Sequence, residues 1–302
     1  MTTLLDTVRR HTEAHANADG VAPTPIAGMT TVRATVPSGL LHAIVRPLIC
    51  LVLQGEKHVA MGRHAYTFGA GDSLLITADV PTVSQVTRAS LAAPYLSLVL
   101  ELDPAIVAEL AMQMDGQTET DGPAAVQTPV RHARTDAEVA DAAMRLMRLL
   151  ERRDALPILQ APLVRELHYW LLAGRHGAAI RKLGWQNGHA QRVARAVAVL
   201  RAEFAHTLRV ERLADVAGMS ASSFHAHFRA VTSLSPLQFQ KQLRLIEARR
   251  LLLSGSVSAS SAAFAVGYES VPQFTRDYAR LYGAPPARDT RRQLGAVQTA
   301  DA

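Results

Sequence analysis

VERLADVAGMSASSFHAHFRAVTSLSP, residues 210–236, reads as a helix, a tight turn and a second helix. Val210, Leu213, Ala214 and Ala217 recur at helical spacing on one face. Gly218 lets the backbone turn, and Ser220 can cap a following helix lined on one side by Phe224, Phe228 and Val231. Alone, this pattern also fits a plain helical hairpin. A second copy, ASSAAFAVGYESVPQFTRDYARLYGAPP at residues 259–286, favours two helix-turn-helix units. Leu213, Ala214 and Gly218 return 49 residues later as Ala262, Ala263 and Gly267. Phe224, Phe228 and Pro236 return 50 residues later as Phe274, Tyr278 and Pro286, so the second turn is longer by one residue. The units are expected at about 210–231 and 258–281. Between them the pattern predicts one long helix from about Leu237 to Ser254, with Leu243, Ile246 and Leu253 available to both cores. Two units on one connecting helix can present two reading helices to successive major-groove segments, ~34 Å apart.

Charge follows the same division. From residue 184 onward there are 15 Lys and Arg against 8 Asp and Glu, a balance of +7, leaving 17 against 18 before it within a net charge of +6. A basic patch confined to one region suits phosphate contacts, because each neutralised phosphate releases condensed counterions; a solvated basic surface is the alternative.

Residues 190–292 resemble the DNA-binding domain of the AraC/XylS family. The resemblance rests on Leu213-Ala214, Gly218-Met219-Ser220, Phe224, Phe228, Ser235-Pro236, Arg244-Leu245, Ala248-Arg249, Leu251-Leu252, Val266-Gly267-Tyr268, Phe274, Arg276, Gly283 and Pro286. It implies double-stranded promoter DNA as partner, with RNA polymerase a further candidate. Face geometry then assigns candidate roles. With Phe224 and Phe228 inward, Ser222, His225, Ala226 and Arg229 face the groove, the first three toward bases and Arg229 toward phosphate. Where this chain has Ala226 the family often has Arg, which could make a bidentate contact to guanine that Ala cannot. The second reading helix offers Gln273, Thr275 and Arg276, of which Arg276 is the leading candidate for direct base contact; a phosphate contact or an ion pair is its alternative. Lys241, Arg244, Arg249 and Arg250, on the connecting helix, are candidate phosphate contacts. Ser233 stands where the family commonly has Gly, as the second copy does at Gly283; at positive φ it would be strained.

Upstream, residues 26–102 carry short apolar runs broken by turn signals such as Gln54-Gly55-Glu56 and Gly69-Ala70-Gly71-Asp72, which predict a β-barrel or sandwich. This stretch resembles the cupin-like N-terminal domain of one branch of the same family, through Pro47-Leu48-Ile49-Cys50, Gln54 to Val59, Gly62, Tyr66, Gly69, Gly71-Asp72, Asp79, Pro81 and Pro94-Tyr95. The resemblance implies a sensor barrel answering a small-molecule effector, and relatives in this branch are associated with aldehyde or alcohol metabolism. The overall fold class expected is α+β, with a barrel, a helical segment and an all-α DNA-binding domain. Residues 103–183 show helical spacing from Asp103-Pro104 and from Asp136, and would pack on the barrel or form a homodimer surface. Residues 1–25 are expected as a loose arm, Gly174 to Gly188 as linker-like with the linker proper at 184–189, and 293–302 as a tail.

Other function classes are weighed on the same residues. Metal-bearing cupins do chemistry with a His-x-His pair, a Glu and a later His, whereas His42, His58 and His64 are scattered here and no such pair falls in the barrel. His225 and His227 are spaced to point to different faces of a helix. No catalytic residue, metal or cofactor is assigned. Cys50, the single cysteine, permits no intrachain disulfide. It reads either as a small buried hydrophobe or as an effector-sensing thiol. The apolar stretch Leu156 to Leu172 is broken by Arg165, Glu166 and His168, so no membrane span is expected and the cytoplasm is the default location. A barrel that only dimerises, and a cupin-type enzyme fused to a DNA-binding module, stand as alternatives to an effector-responsive regulator.

Overall fold

Short β-branched runs between turn residues make the N-terminal half a sheet structure. The computed structural model describes residues 2–61, 64–114, 130–184, 188–255 and 257–292. The chain divides into two compact units, Met1–Gln191 and Arg192–Ala302.

In the first unit the strands are β1 (Val21–Pro23), β2 (Met29–Ala34), β3 (Leu41–Val45), β4 (Leu48–Gln54), β5 (Glu56–Met61), β6 (His64–Gly69), β7 (Asp72–Ile76), β8 (Val80–Arg88), β9 (Tyr95–Glu101) and β10 (Val130–Arg134). They form two antiparallel sheets, ordered β1-β2-β9-β4-β7-β10 and β3-β8-β5-β6. In the larger sheet Cys50 of β4 stands opposite Val99 of β9 and Leu74 of β7. Side chains alternate with period two, so Ile49, Leu51, Leu75, Leu96, Leu98 and Leu100 share one face. That face packs on helices α1 (Leu4–His15), α2 (Pro104–Met114), α3 (Ala137–Leu149), α4 (Leu156–Ala173) and α5 (Gly177–Gly184). The opposite parity, Cys50, Val52, Leu74 and Ile76, is buried too, so both faces of the sheet are covered.

Three segments depart from the sequence expectation. The loose arm is instead α1 followed by β1. A capping box joins Thr3 and Asp6, the buried helix face is Thr7, Val8 and Thr12, and the Thr12 and Thr31 hydroxyls meet at 2.8 Å. A helix that buries threonines shows little apolar periodicity. The linker-like stretch contains α5, whose Ala179 and Ile180 enter the core; its bounding glycines had suggested a linker. β10, unforeseen, pairs with β7 from Val130↔Ile76 to Arg134↔Asp72. Gly62, residues 117–129 of the stretch expected as helical, linker residues 185–187 and the tail at 293–302 lie outside the described residues. Helical spacing from Asp103-Pro104 is matched by α2, at whose start the Asp103 carboxylate accepts the Ala105 amide at 2.8 Å.

Two buried histidines tie elements of the first unit together, His168 holding α4 to the start of α2 and His176 reaching β7. His168 Nε2 accepts the Asp103 amide at 3.0 Å while Nδ1–H donates to the Val164 carbonyl at 2.8 Å. His176 Nε2 lies 2.8 Å from the Ser73 hydroxyl. Burial, the largest influence on both, lowers their pKa below the ordinary histidine value and outweighs the nearby Asp103 and Asp136 charges. The unfolded chain therefore takes up these protons first as pH drops below ~6.5, and stability is lost in that window. The melting temperature of the first unit should fall between pH 7.5 and 5.5, and His168→Gln should flatten the fall. An equally steep fall in that variant would place the titration elsewhere.

In the second unit α6 (His189–Ala202) begins just before the division, followed by α7 (Val210–Ala217), α8 (Ala221–Thr232), α9 (Pro236–Leu253), α10 (Ala259–Ala265) and α11 (Val271–Tyr282). The long helix is α9, but the residues it buries deepest are Phe239, Leu245, Ala248 and Leu252; Leu243, Ile246 and Leu253 are half-buried. Among the described residues no helix is long and apolar enough to cross a membrane.

Candidate nucleic-acid interface

The first helix pair, α7 and α8, is closed by local chemistry. Gly218 takes the left-handed conformation at φ 63°, and the Met219 amide returns to the Ala214 carbonyl at 2.9 Å. Arg192 and Arg195 donate to the Ala217 carbonyl at 2.9 and 3.3 Å, placing cations at the negative end of α7. Ser220 Oγ accepts the Ser223 amide and caps α8. Phe224 and Phe228 are fully buried, and Phe228 meets the Phe239 ring edge-on at 5.5 Å. With those rings fixed inward, Ser222, His225, Ala226 and Arg229 are exposed together.

The second pair, α10 and α11, repeats the construction. The Tyr268 amide returns to the Ala263 carbonyl at 2.9 Å, as Met219 does to Ala214. The additional residue is Glu269, inserted between that bond and the Ser270 hydroxyl that caps α11. Phe274 and Tyr278 are buried against Leu245, Ala248, Ala262 and Ala263. Gln273 and Arg276 are exposed three residues apart on one helical face. Arg276 makes no ion pair among the described residues. Thr275 is half-buried, and its hydroxyl donates to the Val271 carbonyl at 2.9 Å, so it is the least available of the three.

The basic residues of α9 fare differently. Arg244 points its guanidinium at the carbonyls of Phe204 (2.7 Å), Gly267 (2.8 Å), His206 (3.0 Å) and Ala205 (3.3 Å), which removes it from the phosphate-contact candidates. Arg249 is also withdrawn: it bonds the fully buried Asp289 at 2.8 Å and lies over the Tyr282 ring at 4.6 Å. Both corrections have one cause. The two helix pairs wrap α9, so faces that sequence periodicity left to solvent are covered. Arg250 is exposed and paired with Glu247 on the same helix, Lys241 keeps half its surface while reaching Asp277 at 3.0 Å, and Arg229 is exposed on α8. Asp289 is the residue that sequence reasoning overlooked. The signal was a lone acid shortly after Pro285-Pro286, in a helical segment at 286–292.

Ser233 closes α8 at φ 64°, the one non-glycine residue at positive φ among those described. Gly283 does the same for α11 at φ 74°, with open space where a Cβ would stand. An L side chain in this region costs roughly 1–2 kcal/mol, part of which glycine gives back through a more disordered unfolded chain. Ser233→Gly should therefore stabilise the second unit by about 0.5–1 kcal/mol, read as a rise in its melting temperature; a fall would refute the strain.

Cys50 is buried in β4 at 4% exposure. Among the described residues no group of three or more His, Cys, Asp or Glu side chains is placed to hold a metal ion.

Residues 25–179 match the family model of the AraC-type transcriptional regulator N-terminus, and residues 213–293 that of a helix-turn-helix domain. A putative AraC-like transcription regulator of Streptomyces lividans is 35% identical over 104 residues, 34% of each chain. The virulence regulon transcriptional activator VirF of Yersinia enterocolitica is 28% identical over 147 residues, 47% of this chain and 52% of that one. The chain thus spans about a third to a half of the length of these curated relatives. Unsaturated fatty acid bound wild-type ToxT from Vibrio cholerae superposes with a TM-score of 0.55 at 9% identity, covering 87% of this chain and 93% of that one, a likeness of fold.

Proposed function

The chain belongs to the AraC-type transcriptional regulators, and on that footing we propose that it is a sequence-specific DNA-binding regulator whose second unit reads promoter DNA. The observation that carries this reading is the repeated helix pair, each with its aromatic residues buried and a polar face exposed on the second helix. Ser222, His225 and Ala226 on α8, and Gln273 and Arg276 on α11, are the base-facing set; Arg229, Lys241 and Arg250 serve phosphates. In this reading the protein is not an enzyme, and it works in the cytoplasm.

Its first unit senses a small molecule. Cys50, Tyr95 and Ser97 share a buried parity of the larger sheet, opposite to the helix-packed face. Burial, reinforced by the neighbouring Cys50 thiol, pushes the Tyr95 hydroxyl well up from its ordinary pKa, so it stays a neutral hydrogen-bonding group. A buried polar set in an apolar interior suits a ligand with an apolar body and one polar end, such as a fatty acid, an aldehyde or an alcohol. The structural relative ToxT was solved with an unsaturated fatty acid bound, which supports the first of these.

Mapping the chain's bound sites across its genome tests the regulator reading. Sites should cluster upstream of genes whose transcription changes when the chain is deleted; occupancy without any such change would refute it. A melting screen against fatty acids, small aldehydes and alcohols tests the sensor, since a ligand at 100 times its Kd adds ~2.7 kcal/mol to the stability of the unit it binds. No shift with any compound would favour a first unit that serves dimerisation alone.

A further inference from the structure

The two helix-turn-helix pairs draw on different stretches of α9. The first core takes Phe239 near its start, and the second takes Leu245, Ala248 and Leu252 farther along. A single helix between two reading modules would leave their relative setting to its bending. Here a second connection exists. The segment 204–206 leads from α6 into α7 of the first pair, and Phe204 itself packs against the second core, while Gly267 is the turn of the second pair. Arg244, projecting from α9, donates to both: to Phe204, Ala205 and His206 on one side and to Gly267 on the other. Gln240, one helical turn earlier, adds bonds to the Phe204 and His206 carbonyls at 3.0 and 2.7 Å. The backbones also meet directly. Gly267 sits at φ 84°, and a Cβ there would lie 1.9 Å from the Ala205 carbonyl oxygen, so only glycine permits the approach.

We infer that this junction, Arg244 with Gln240 and Gly267, is a brace that fixes the setting of α11 relative to α8 and so determines the spacing of the two DNA segments the protein accepts. The inference rests on the DNA-binding reading above and makes Arg244 a positioning residue that touches no DNA. Guanidinium suits the task because its fork of five donors can serve several carbonyls at once, which the single ammonium of lysine cannot do from the same place. Duplex DNA explains why spacing would respond. One inserted base pair shifts the second segment by ~3.4 Å and rotates it by ~34°, given ~10–10.5 base pairs per ~34–36 Å turn. A braced pair of helices cannot follow such a movement; an unbraced pair can.

The test uses the full chain and duplexes carrying its selected site, with the two segments at native spacing, with one base pair inserted or removed between them, or with one segment scrambled. The wild type should bind the respaced duplexes at least tenfold more weakly than the native one. Arg244→Lys and Gly267→Ala should bind the one-segment duplex within about twofold of wild type. Both should lose tenfold on the native site and retain less than threefold discrimination against respacing. Gln240→Ala removes only the two accessory bonds and should shift the same readout partway, which keeps the question decidable if the other two variants fail to fold by circular dichroism. Unchanged spacing discrimination in every folded variant, or equal loss on one-segment and two-segment DNA, would overturn the brace. A wild type that selects no site would instead overturn the DNA-binding reading on which it rests.

Discussion

Replacing Asp289 with Ala is expected to cost the second unit about 3–5 kcal/mol, because it leaves a buried cation without its partner. Asp289 is fully buried and receives Arg249 Nε at 2.8 Å, the Tyr278 hydroxyl at 2.9 Å and Arg292 at 3.3 Å. Arg249 is nearly as buried, at 12% side-chain exposure. Burial alone would raise the Asp289 pKa. The hydrogen bonds from Arg249 and Tyr278 and the charges of Arg249 and Arg292 outweigh it, so the carboxyl is held below its ordinary range. That stability is present above the unfolded value of ~3.9 and is lost as pH falls through the lower folded value. Asp289→Ala removes it at every pH. Both tryptophans, Trp170 and Trp185, precede residue 192, so the second unit contains no tryptophan and its unfolding is followed by circular dichroism. The variant should show an early dichroism transition that fluorescence misses. A loss under 1 kcal/mol would mean that water reaches Arg249 freely.

Arg276→Ala should weaken specific DNA binding by about 1–3 kcal/mol and relax preference at one base pair, while binding to unrelated duplex changes little. The side chain is exposed on the face of α11 that also carries Gln273, and Phe274 and Tyr278 pin the opposite face inward. The loss would come from a bidentate contact to a base edge. A uniform weakening on all sequences, with the salt slope reduced by about one, would assign Arg276 to a phosphate instead. Ala226 gives the contrast: it is exposed on α8, as the face geometry requires, but has no polar group to offer a base.

The repeated helix pairs were legible in the sequence because their parts are rare in combination. Gly218 and Gly267, the cap Ser220, and the buried pairs Phe224–Phe228 and Phe274–Tyr278 sit where the spacing put them, and Ser270 caps α11 as Ser220 caps α8. Even the longer second turn was visible as one extra residue, which the structure identifies as Glu269. The strain at Ser233 was readable from its counterpart Gly283. What hid was tertiary in origin. No local pattern reveals that Arg244 and Arg249 are enclosed, since a basic side chain on a helix has the same sequence signature in water and in a cage of carbonyls. α1 hid because two of its three buried residues are threonines, β10 because its partner β7 lies more than fifty residues earlier, and α5 because bounding glycines mimic a linker.

Selection of bound sequences from a random duplex library by the full chain bears most directly on the claim that two unequal helix pairs read DNA. The expected product is one motif of two segments about one helical turn apart, more sharply specified in the segment that loses its preference when Arg276 is replaced. Enrichment of no shared motif, with bound and unselected duplexes equal in affinity at physiological salt, would contradict it.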